Sequence, residues 1–209
     1  MKASALNRTE PVSEKIMPTK QELRAAILPR RQSLTAVQQQ QVAVAVARHY
    51  ADHPVLGTLA PVAGYSTHRG EVDVAQILGW VVGRGHAAAL PRQGEDDDKL
   101  QFHRWQKGDA TEFDRWNIQV PLSSSEIVLP RVVLVPLVAF DRRGYRLGYG
   151  GGFYDRTIQA LREAGDAPLF IGVAYQFQEV PEIPIGAGDM PLDGVVTELG
   201  VSFFSERWR

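Results

Sequence analysis

The residues best suited to chemistry in this sequence are clustered between positions 136 and 156, in the run PLVAFDRRGYRLGYGGGFYDR. Four glycines of this run, Gly148, Gly150, Gly151 and Gly152, lie between a strongly apolar segment and a predicted helix. Glycine permits positive φ and lets a ligand approach the backbone closely. The amide hydrogens and the positive dipole end of a following helix favour an anion at such a loop. The spacing therefore predicts a phosphate-binding loop, with a flexible turn as the alternative.

The glycine run differs from both common phosphate-binding fingerprints. No lysine follows it, as a Walker A loop requires, and Phe153 stands where GxGxxG needs its last glycine. The neighbouring side chains strengthen the prediction, because Arg146 can neutralise phosphate charge. Asp155 is placed either to hold Mg²⁺ or to complement the helix dipole. The aromatic side chains of Tyr149, Phe153 and Tyr154 offer flat faces to a ring-shaped ligand, or else they pack in the core.

The elements that must position this loop alternate between strands and helices. Strands are predicted at 59–65, 87–90, 100–105, 131–137, 169–174, 195–197 and 201–204. Helices are predicted after the capping boxes at Thr19 and Thr35, after a cap at Asp73, and over 153–164. This alternation predicts a single-domain α/β fold with a mostly parallel, twisted sheet flanked by helices. Ligands of such sheets bind at the carboxyl ends of the strands, where the glycine run lies.

Composition excludes several classes of protein. The chain has 209 residues and no cysteine, so disulfides, thiolate catalysis, zinc fingers and iron–sulfur clusters are excluded. The net charge of −1 gives no reason to expect a nucleic-acid partner. The longest apolar run, 132–140, is too short to span a membrane and contains Pro136. We expect a cytoplasmic monomer with a tail at 1–18, one domain at 19–209, and a solvated loop at Asp96–Asp98.

The run 136–156 resembles the signature of the 5-formyltetrahydrofolate cyclo-ligase (5,10-methenyltetrahydrofolate synthetase) family, approximately P-G-x-A-F-D-x-x-G-x-R-L-G-x-G-x-G-Y-Y-D. The sequence matches it at Pro136, Ala139–Asp141, Gly144, Arg146–Gly148, Gly150 and Gly152–Asp155. Two positions depart from it: Leu137 replaces the usual glycine, and Phe153 replaces the first tyrosine and so lacks its hydroxyl. The resemblance extends over nearly the whole chain after residue 18. It implies a Rossmann-like fold similar to those of sugar-phosphate isomerases and CoA transferases.

The resemblance also implies roles for individual residues. The segment Lys20, Gln21, Glu22, Leu23 and Arg24 matches the family's ATP-binding K-x-x-L-R, and ATP contacts are likewise implied for Arg146, Leu147, Gly148, Tyr149, Gly150, Gly151, Gly152, Phe153 and Tyr154. Arg146 and Tyr154 are the implied catalytic pair. The folate is assigned to Ser66, Glu71, Trp116, Tyr149, Phe153 and Tyr154, and Mg²⁺ to Asp155 and Asp189. From spacing alone, Lys20 and Arg24 also suit a solvated helix face, and Glu71 also suits a helix cap.

The implied reaction is the ATP- and Mg²⁺-dependent closure of 5-formyltetrahydrofolate to 5,10-methenyltetrahydrofolate, with release of ADP and phosphate. This chemistry relies on positioning and electrostatic stabilisation, which agrees with a sequence that offers cations and glycines but no Ser-His-Asp pattern. Three alternatives remain open. They are an ATP-independent isomerase or transferase of similar fold, a non-catalytic folate- or nucleotide-binding protein, and, least favoured, a nucleic-acid-binding module.

Overall fold

The structure, a computed structural model, describes residues 17–94, 99–165 and 167–205. Most of the expected tail and the Asp96–Asp98 loop lie outside these residues. The helices are α1 (Lys20–Gln32), α2 (Ala36–Asp52), α3 (Ala75–Gly83) and α4 (Phe153–Glu163). The strands are β1 (Val62–Ala63), β2 (Ala88–Gln93), β3 (Leu100–Arg104), β4 (Thr111–Phe113), β5 (Gln119–Pro121), β6 (Val132–Pro136), β7 (Ala139–Phe140), β8 (Arg146–Leu147), β9 (Leu169–Val173), β10 (Gly194–Thr197) and β11 (Gly200–Phe203). Two 3₁₀ turns lie at Leu56–Thr58 and Gln176–Gln178.

Seven strands form the central sheet, in the order β11-β10-β9-β6-β1-β2-β3. The five inner strands pair in parallel, and the two edge strands, β3 and β11, are antiparallel to their neighbours. The expected α/β fold with a mostly parallel sheet is therefore confirmed. After β1 the chain moves first to β2 and then across to β6, so the strand order reverses between β1 and β6. A crevice at the carboxyl ends of two such strands is where open α/β sheets bind ligands.

Strand β6 shows why the sheet is covered on both faces. Its residues 132–135 are all buried and apolar, as expected for a central parallel strand. Val132 and Leu134 pack into a core formed with α2 and α3. Val133 and Val135 point to the opposite face and pack into a second core with Ile158 of α4. The period of two along the strand thus places helices on both sides of the sheet.

Helix α1 lies on a small hairpin that carries the glycine run. The capping box predicted at Thr19 is present, with the Thr19 hydroxyl accepting from the Glu22 amide at 3.2 Å. Leu23 and Ile27 pack against Leu147 and Ala139 of the β7–β8 hairpin. This packing fixes the first turns of α1 beside the residues that follow β8.

Three expectations about the elements need correction. The strand expected at 59–65 is reduced to Val62–Ala63, because Pro61 has no amide to donate and a 3₁₀ turn precedes it. Helix α3 begins one residue later than expected, with Val74 at its N-cap, although Asp73 Oδ1 still accepts from the Ala75 amide at 2.9 Å. The hairpins β4–β5 and β7–β8 were not expected, because strands of two or three residues leave little periodic signal.

Candidate active site

The glycine loop connects β8 to α4 at the carboxyl side of the sheet. Gly150 and Gly152 have φ values of +106° and +69°, which residues other than glycine rarely adopt. Gly152 is the N-cap residue of α4, and no described side chain caps the helix there. The first amides of a helix have no intrahelical partners. The loop therefore ends in an uncapped helix N-terminus, and its binding of phosphate stays a prediction.

Two arginines hold the carbonyl groups of the glycine loop. Arg24 donates from Nε to the Gly148 carbonyl at 2.9 Å, and Arg156 donates from Nη2 to the Gly151 carbonyl at 2.9 Å. Since the two side chains come from different helices, the loop is fixed from both sides. Arg24 thus lies against the glycines, and the ATP contact that the resemblance implies for it stays a prediction.

Arg146 is a buried cation beneath the loop, with 8% of its surface exposed. Its Nη1 donates to Asp155 Oδ1 at 3.1 Å and to the Met190 carbonyl at 3.3 Å, and the Met190 amide donates to the same Asp155 oxygen at 3.0 Å. Burial lowers the pKa of Arg146, and the neighbouring carboxylates Asp155 and Asp189 oppose that shift. The structure therefore places a desolvated positive charge next to the glycine loop, with two acids around it.

Asp189 forms an ion pair with Lys20, which is distant from it in sequence. Lys20 Nζ lies 2.5 Å from Asp189 Oδ2, which also accepts from the Gly186 amide at 2.6 Å. Burial raises the pKa of Asp189, but these two hydrogen bonds and the charge of Arg146 outweigh it, so the net pKa is below its ordinary value. Asp189 is thus ionised, and Lys20 is brought to the site by α1.

A magnesium ion suits the pair Asp155 and Asp189 by donor chemistry. Mg²⁺ in phosphate-transfer sites takes one or two carboxylates, completed by phosphate oxygens and water. Met190, the residue after Asp189, donates its amide to Asp155 at 3.0 Å, so the two carboxylates lie in one neighbourhood. Among the described residues no group of three metal-ligating side chains is present. This donor set fits an ion that depends on a bound polyphosphate for its remaining ligands.

Glu71 lies on the other side of the crevice, after β1. It is buried, and its Oε2 accepts from the His68 amide at 3.0 Å. Burial raises the pKa of Glu71 to about 7, although the His68 amide, Arg31, Tyr149 and Arg69 act in the opposite direction. This carboxyl group can therefore exist in either protonation state near neutral pH. The expectation that Glu71 is a helix cap is not met, because it precedes α3 without touching its first turn.

Tyr149 and Tyr154, on either side of the last three glycines, both lie within the electrostatic influence of Glu71. The hydroxyl of Tyr154 is buried and has no hydrogen-bond partner among the described residues. Burial raises the pKa of Tyr154, and the charge of Glu71 raises it further. Tyr149 is 40% exposed, and its pKa is raised first by burial and then by Glu71. A buried hydroxyl without a partner is costly, so the Tyr154 group suits a bound ligand that completes its hydrogen bonding.

The β4–β5 turn supplies the aromatic wall that the sequence placed at Trp116. Trp116 is half-exposed, and its ring meets the Phe153 ring edge to face at 5.5 Å between centroids. Ser66 donates its hydroxyl to the Gln119 carbonyl of β5. Ser66 also lines an open cleft of about 470 Å³ together with Tyr65 and Ile118. Trp116 and Phe153 therefore meet beside the glycine loop, while Ser66 lies in the adjoining cleft.

Three of the four remaining residues assigned to a nucleotide have structural roles of their own. Glu22 completes the capping box of α1, and Leu23 is buried against the β7–β8 hairpin. Leu147 is buried in the same cluster, and Gln21 is exposed. Any contact of these four residues with a nucleotide stays a prediction.

Sequence reasoning missed three contributors to the site. Arg31 and Arg69 approach the Tyr149 ring, with their guanidinium carbons 5.6 and 5.3 Å from its centroid. Met190 contributes its backbone amide and carbonyl to the Arg146–Asp155 pair. No spacing signal marks these residues, since their partners lie far away in sequence. The positive φ of Arg69, +49°, is also invisible in the sequence.

The fold is that of an α/β enzyme with a glycine loop and a helix N-terminus at the carboxyl ends of its strands. The chain belongs to the 5-formyltetrahydrofolate cyclo-ligase family, whose model matches residues 16–198. It is similar to the 5-formyltetrahydrofolate cyclo-ligase of Escherichia coli (strain K12), with 33% identity over 82% of this chain and 96% of that one. The Haemophilus influenzae cyclo-ligase is 32% identical over 83% of this chain and 94% of its own.

The fold is also shared with a solved structure of that kind. The chain resembles the NMR structure of Aquifex aeolicus 5,10-methenyltetrahydrofolate synthetase, with a TM-score of 0.76 and 29% identity. The alignment covers 90% of this chain and 93% of the other. In the described part of the chain, no helix is both long and apolar enough to cross a membrane.

Proposed function

We propose that this protein converts 5-formyltetrahydrofolate to 5,10-methenyltetrahydrofolate, using ATP and Mg²⁺ and releasing ADP and phosphate. The proposal rests on one observation in a chain of this family, namely that the glycine loop and a buried carboxyl group lie at the same crevice. Arg146 lies in β8, the glycine loop follows β8, and the buried Glu71 follows β1. Since β1 and β6 are neighbours at the reversal of strand order, a phosphate donor and a second ligand can bind side by side.

The proposed reaction begins with phosphoryl transfer. The formyl oxygen on N5 is a poor leaving group, and transfer of the γ-phosphoryl group of ATP to that oxygen makes it a good one. N10 then attacks the formyl carbon and loses its proton to solvent, and departure of phosphate with the former formyl oxygen leaves the closed methenyl bridge. Amides of the glycine loop and of the α4 N-terminus bind the phosphates, while Arg146, Lys20 and Arg24 neutralise their charge. These groups position the reactants and stabilise the charge that develops during transfer.

The folate is assigned to the opposite side of the crevice. Glu71 presents a carboxyl group to the donor-rich edge of the pterin, and Tyr154 supplies its unpartnered hydroxyl. Tyr149, Phe153 and Trp116 provide flat faces for stacking, with Ser66 in the adjoining cleft. Mg²⁺ would be held by Asp155 and Asp189 and would neutralise phosphate charge. Since Lys20 already binds Asp189 and Arg146 already binds Asp155, the ion would share these two carboxylates with the two cations.

The direct test is an assay of the purified protein with 5-formyltetrahydrofolate, Mg²⁺ and ATP. We expect the near-ultraviolet absorbance of the methenyl product to grow, and to stop growing when either ATP or Mg²⁺ is withheld. Product formation without ATP would contradict the proposal and favour the isomerase or transferase alternative. A flat trace from folded protein would also contradict it, and binding of the two ligands would then be measured by calorimetry to test the non-catalytic alternative.

Replacing Gly152 with alanine is expected to raise the KM for ATP about tenfold. A Cβ at this position would lie 2.6 Å from Arg156 Nη1, and the left-handed backbone costs a residue with a side chain about 1 kcal/mol. The end group of Arg156 would have to move, which would disturb its bond to the Gly151 carbonyl and so the conformation of the loop. Gly85→Ala is the matched control, since Gly85 has a similar φ of +80° and no atom close to the added Cβ. Equal KM values for ATP in the two variants would contradict the proposed phosphate site.

Replacing Asp189 with asparagine is expected to raise the Mg²⁺ concentration needed for half-maximal rate about tenfold. The amide weakens the site for the ion and removes the negative charge that Lys20 binds at 2.5 Å. The measurement is initial rate against Mg²⁺ at saturating ATP. Glu126→Gln serves as the control, because Glu126 forms an exposed pair with Arg104. An unchanged Mg²⁺ dependence in the Asp189 variant would remove this residue from the metal site.

A further inference from the structure

Arg31 is a fully buried arginine that none of the roles described above requires. Its exposed surface is 0%, and it comes from the last turn of α1. Its Nε donates to the Arg69 carbonyl at 3.1 Å, its Nη1 donates to the Leu137 carbonyl at 3.0 Å, and its Nη2 donates to the Tyr149 hydroxyl. One side chain therefore joins α1, the segment after β1, the segment after β6 and the glycine loop.

The bond to Tyr149 differs in kind from the other two. Two of the three bonds satisfy backbone carbonyls, which must be paired when the backbone is buried. The third goes to the hydroxyl of a side chain that is 40% exposed, so it does not serve to pair a buried backbone group. Burying a guanidinium is expensive even when it is hydrogen-bonded. What the third bond adds is a fixed orientation for the Tyr149 ring.

The position of that ring matters for the crevice. Tyr149 lies between Gly148 and Gly150, so its backbone belongs to the loop and its side chain extends toward Glu71, whose pKa its hydroxyl lowers. Arg69 lies 5.3 Å from the ring centroid and Arg31 lies 5.6 Å from it. The ring is thus held from α1 and from the segment after β1 at once. A ring in this place forms a wall between the two sides of the crevice.

We propose that Arg31 is a positioning residue that acts through the Tyr149 hydroxyl and fixes the Tyr149 ring as a wall of the folate side. The kinetic consequence rests on the proposed function, whereas the positioning itself does not. Arg31 touches neither the proposed phosphate cations nor the carboxylates assigned to the metal. Its effect should therefore fall on the KM for 5-formyltetrahydrofolate, with kcat nearly unchanged.

The positioning is tested without any assay of activity. The chain contains six tyrosines, so protein labelled with 3-fluorotyrosine gives six ¹⁹F resonances, and the signal lost in Tyr149→Phe belongs to Tyr149. We expect Arg31→Lys to shift or broaden that signal while the spectrum otherwise stays close to that of the wild type. Arg30→Lys is the control, because Arg30 stacks on Phe177 at 4.2 Å in the same turn of α1. An unchanged Tyr149 signal in Arg31→Lys would overturn the proposal.

The action through Tyr149 is tested by a double-mutant cycle. Arg31→Lys keeps the positive charge near Glu71 but cannot keep all three hydrogen bonds. We expect it to raise the KM for 5-formyltetrahydrofolate about tenfold in the wild type and less than about twofold in Tyr149→Phe. A merely structural role would lower thermal stability and leave the two effects additive, which would overturn the proposal. Absence of turnover in the wild type would refute the proposed function, and the ¹⁹F result would still decide the positioning.

Discussion

Arg146→Ala is expected to lower kcat by about 10³-fold, the scale on which single charge-stabilising groups act in phosphoryl transfer. Arg146 is buried beneath the glycine loop and pairs with Asp155 at 3.1 Å. A buried cation is poorly screened by solvent, so its field on a bound phosphate is strong. The measurement is the initial rate of methenyl absorbance at saturating ATP and 5-formyltetrahydrofolate, with circular dichroism to verify that the variant is folded.

Two further variants make this prediction decisive. Arg146→Lys keeps the charge but loses the second donor group, so we expect an intermediate rate. Arg142→Ala is the matched control, because Arg142 has a side chain that is 89% exposed and pairs with Glu179 at the surface. Its rate should stay within about twofold of the wild type, since exposed ion pairs contribute little. Wild-type turnover by folded Arg146→Ala would remove Arg146 from the phosphate site.

Glu71→Gln is expected to change the way stability depends on pH. The pKa of Glu71 is about 7 in the folded protein, against 4.5 for the unperturbed group. The folded state therefore binds more protons at Glu71 than the unfolded state between these values, so the contribution of this group to stability is fully present below pH 4.5 and is lost as pH rises through 7. The shift corresponds to about 3 kcal/mol. Glutamine cannot ionise, so the variant should exceed the wild type in stability at pH 8 by an amount of that order.

The measurement is urea unfolding of both proteins at pH 5 and pH 8. Glu182→Gln is the control, since Glu182 is an exposed glutamate that pairs with Arg143 at 2.6 Å. The same Glu71 variant should raise the KM for 5-formyltetrahydrofolate about tenfold or more, because the pterin loses its carboxylate partner. A stability gain at pH 8 with an unchanged KM would support the raised pKa of buried Glu71 but contradict its role in folate binding.

Much of the site could be predicted because its signals are local in the sequence. One continuous stretch of the chain contains the apolar strand, the glycine run and the helix that begins at Phe153. The structure places these elements as expected. The capping box at Thr19 is a contact over three residues and is also present. Such features depend on the chemistry of neighbouring residues, which a single sequence displays directly.

The features of the site that could not be predicted depend on contacts between residues that are far apart in the sequence. Arg31 and Tyr149 are 118 residues apart, so no periodicity relates them. Met190 contributes only backbone atoms to Asp155, and backbone atoms carry no residue signal. Strand β1 is shorter than the apolar run predicted, because Pro61 interrupts that run. The buried environment that raises the pKa of Glu71 likewise exists only after the sheet has formed.

The reversal of strand order between β1 and β6 has a consequence for how the protein acquires activity. Glu71 and the glycine loop are more than seventy positions apart, and they meet because β1 and β6 pair in register at Val62–Val132 and Ala63–Val133. That pairing is a long-range contact, which forms only after a large loop has closed. No stretch of the chain that lacks either strand can assemble both sides of the crevice. During refolding, then, catalysis should return together with the last cooperative step and serve as its reporter.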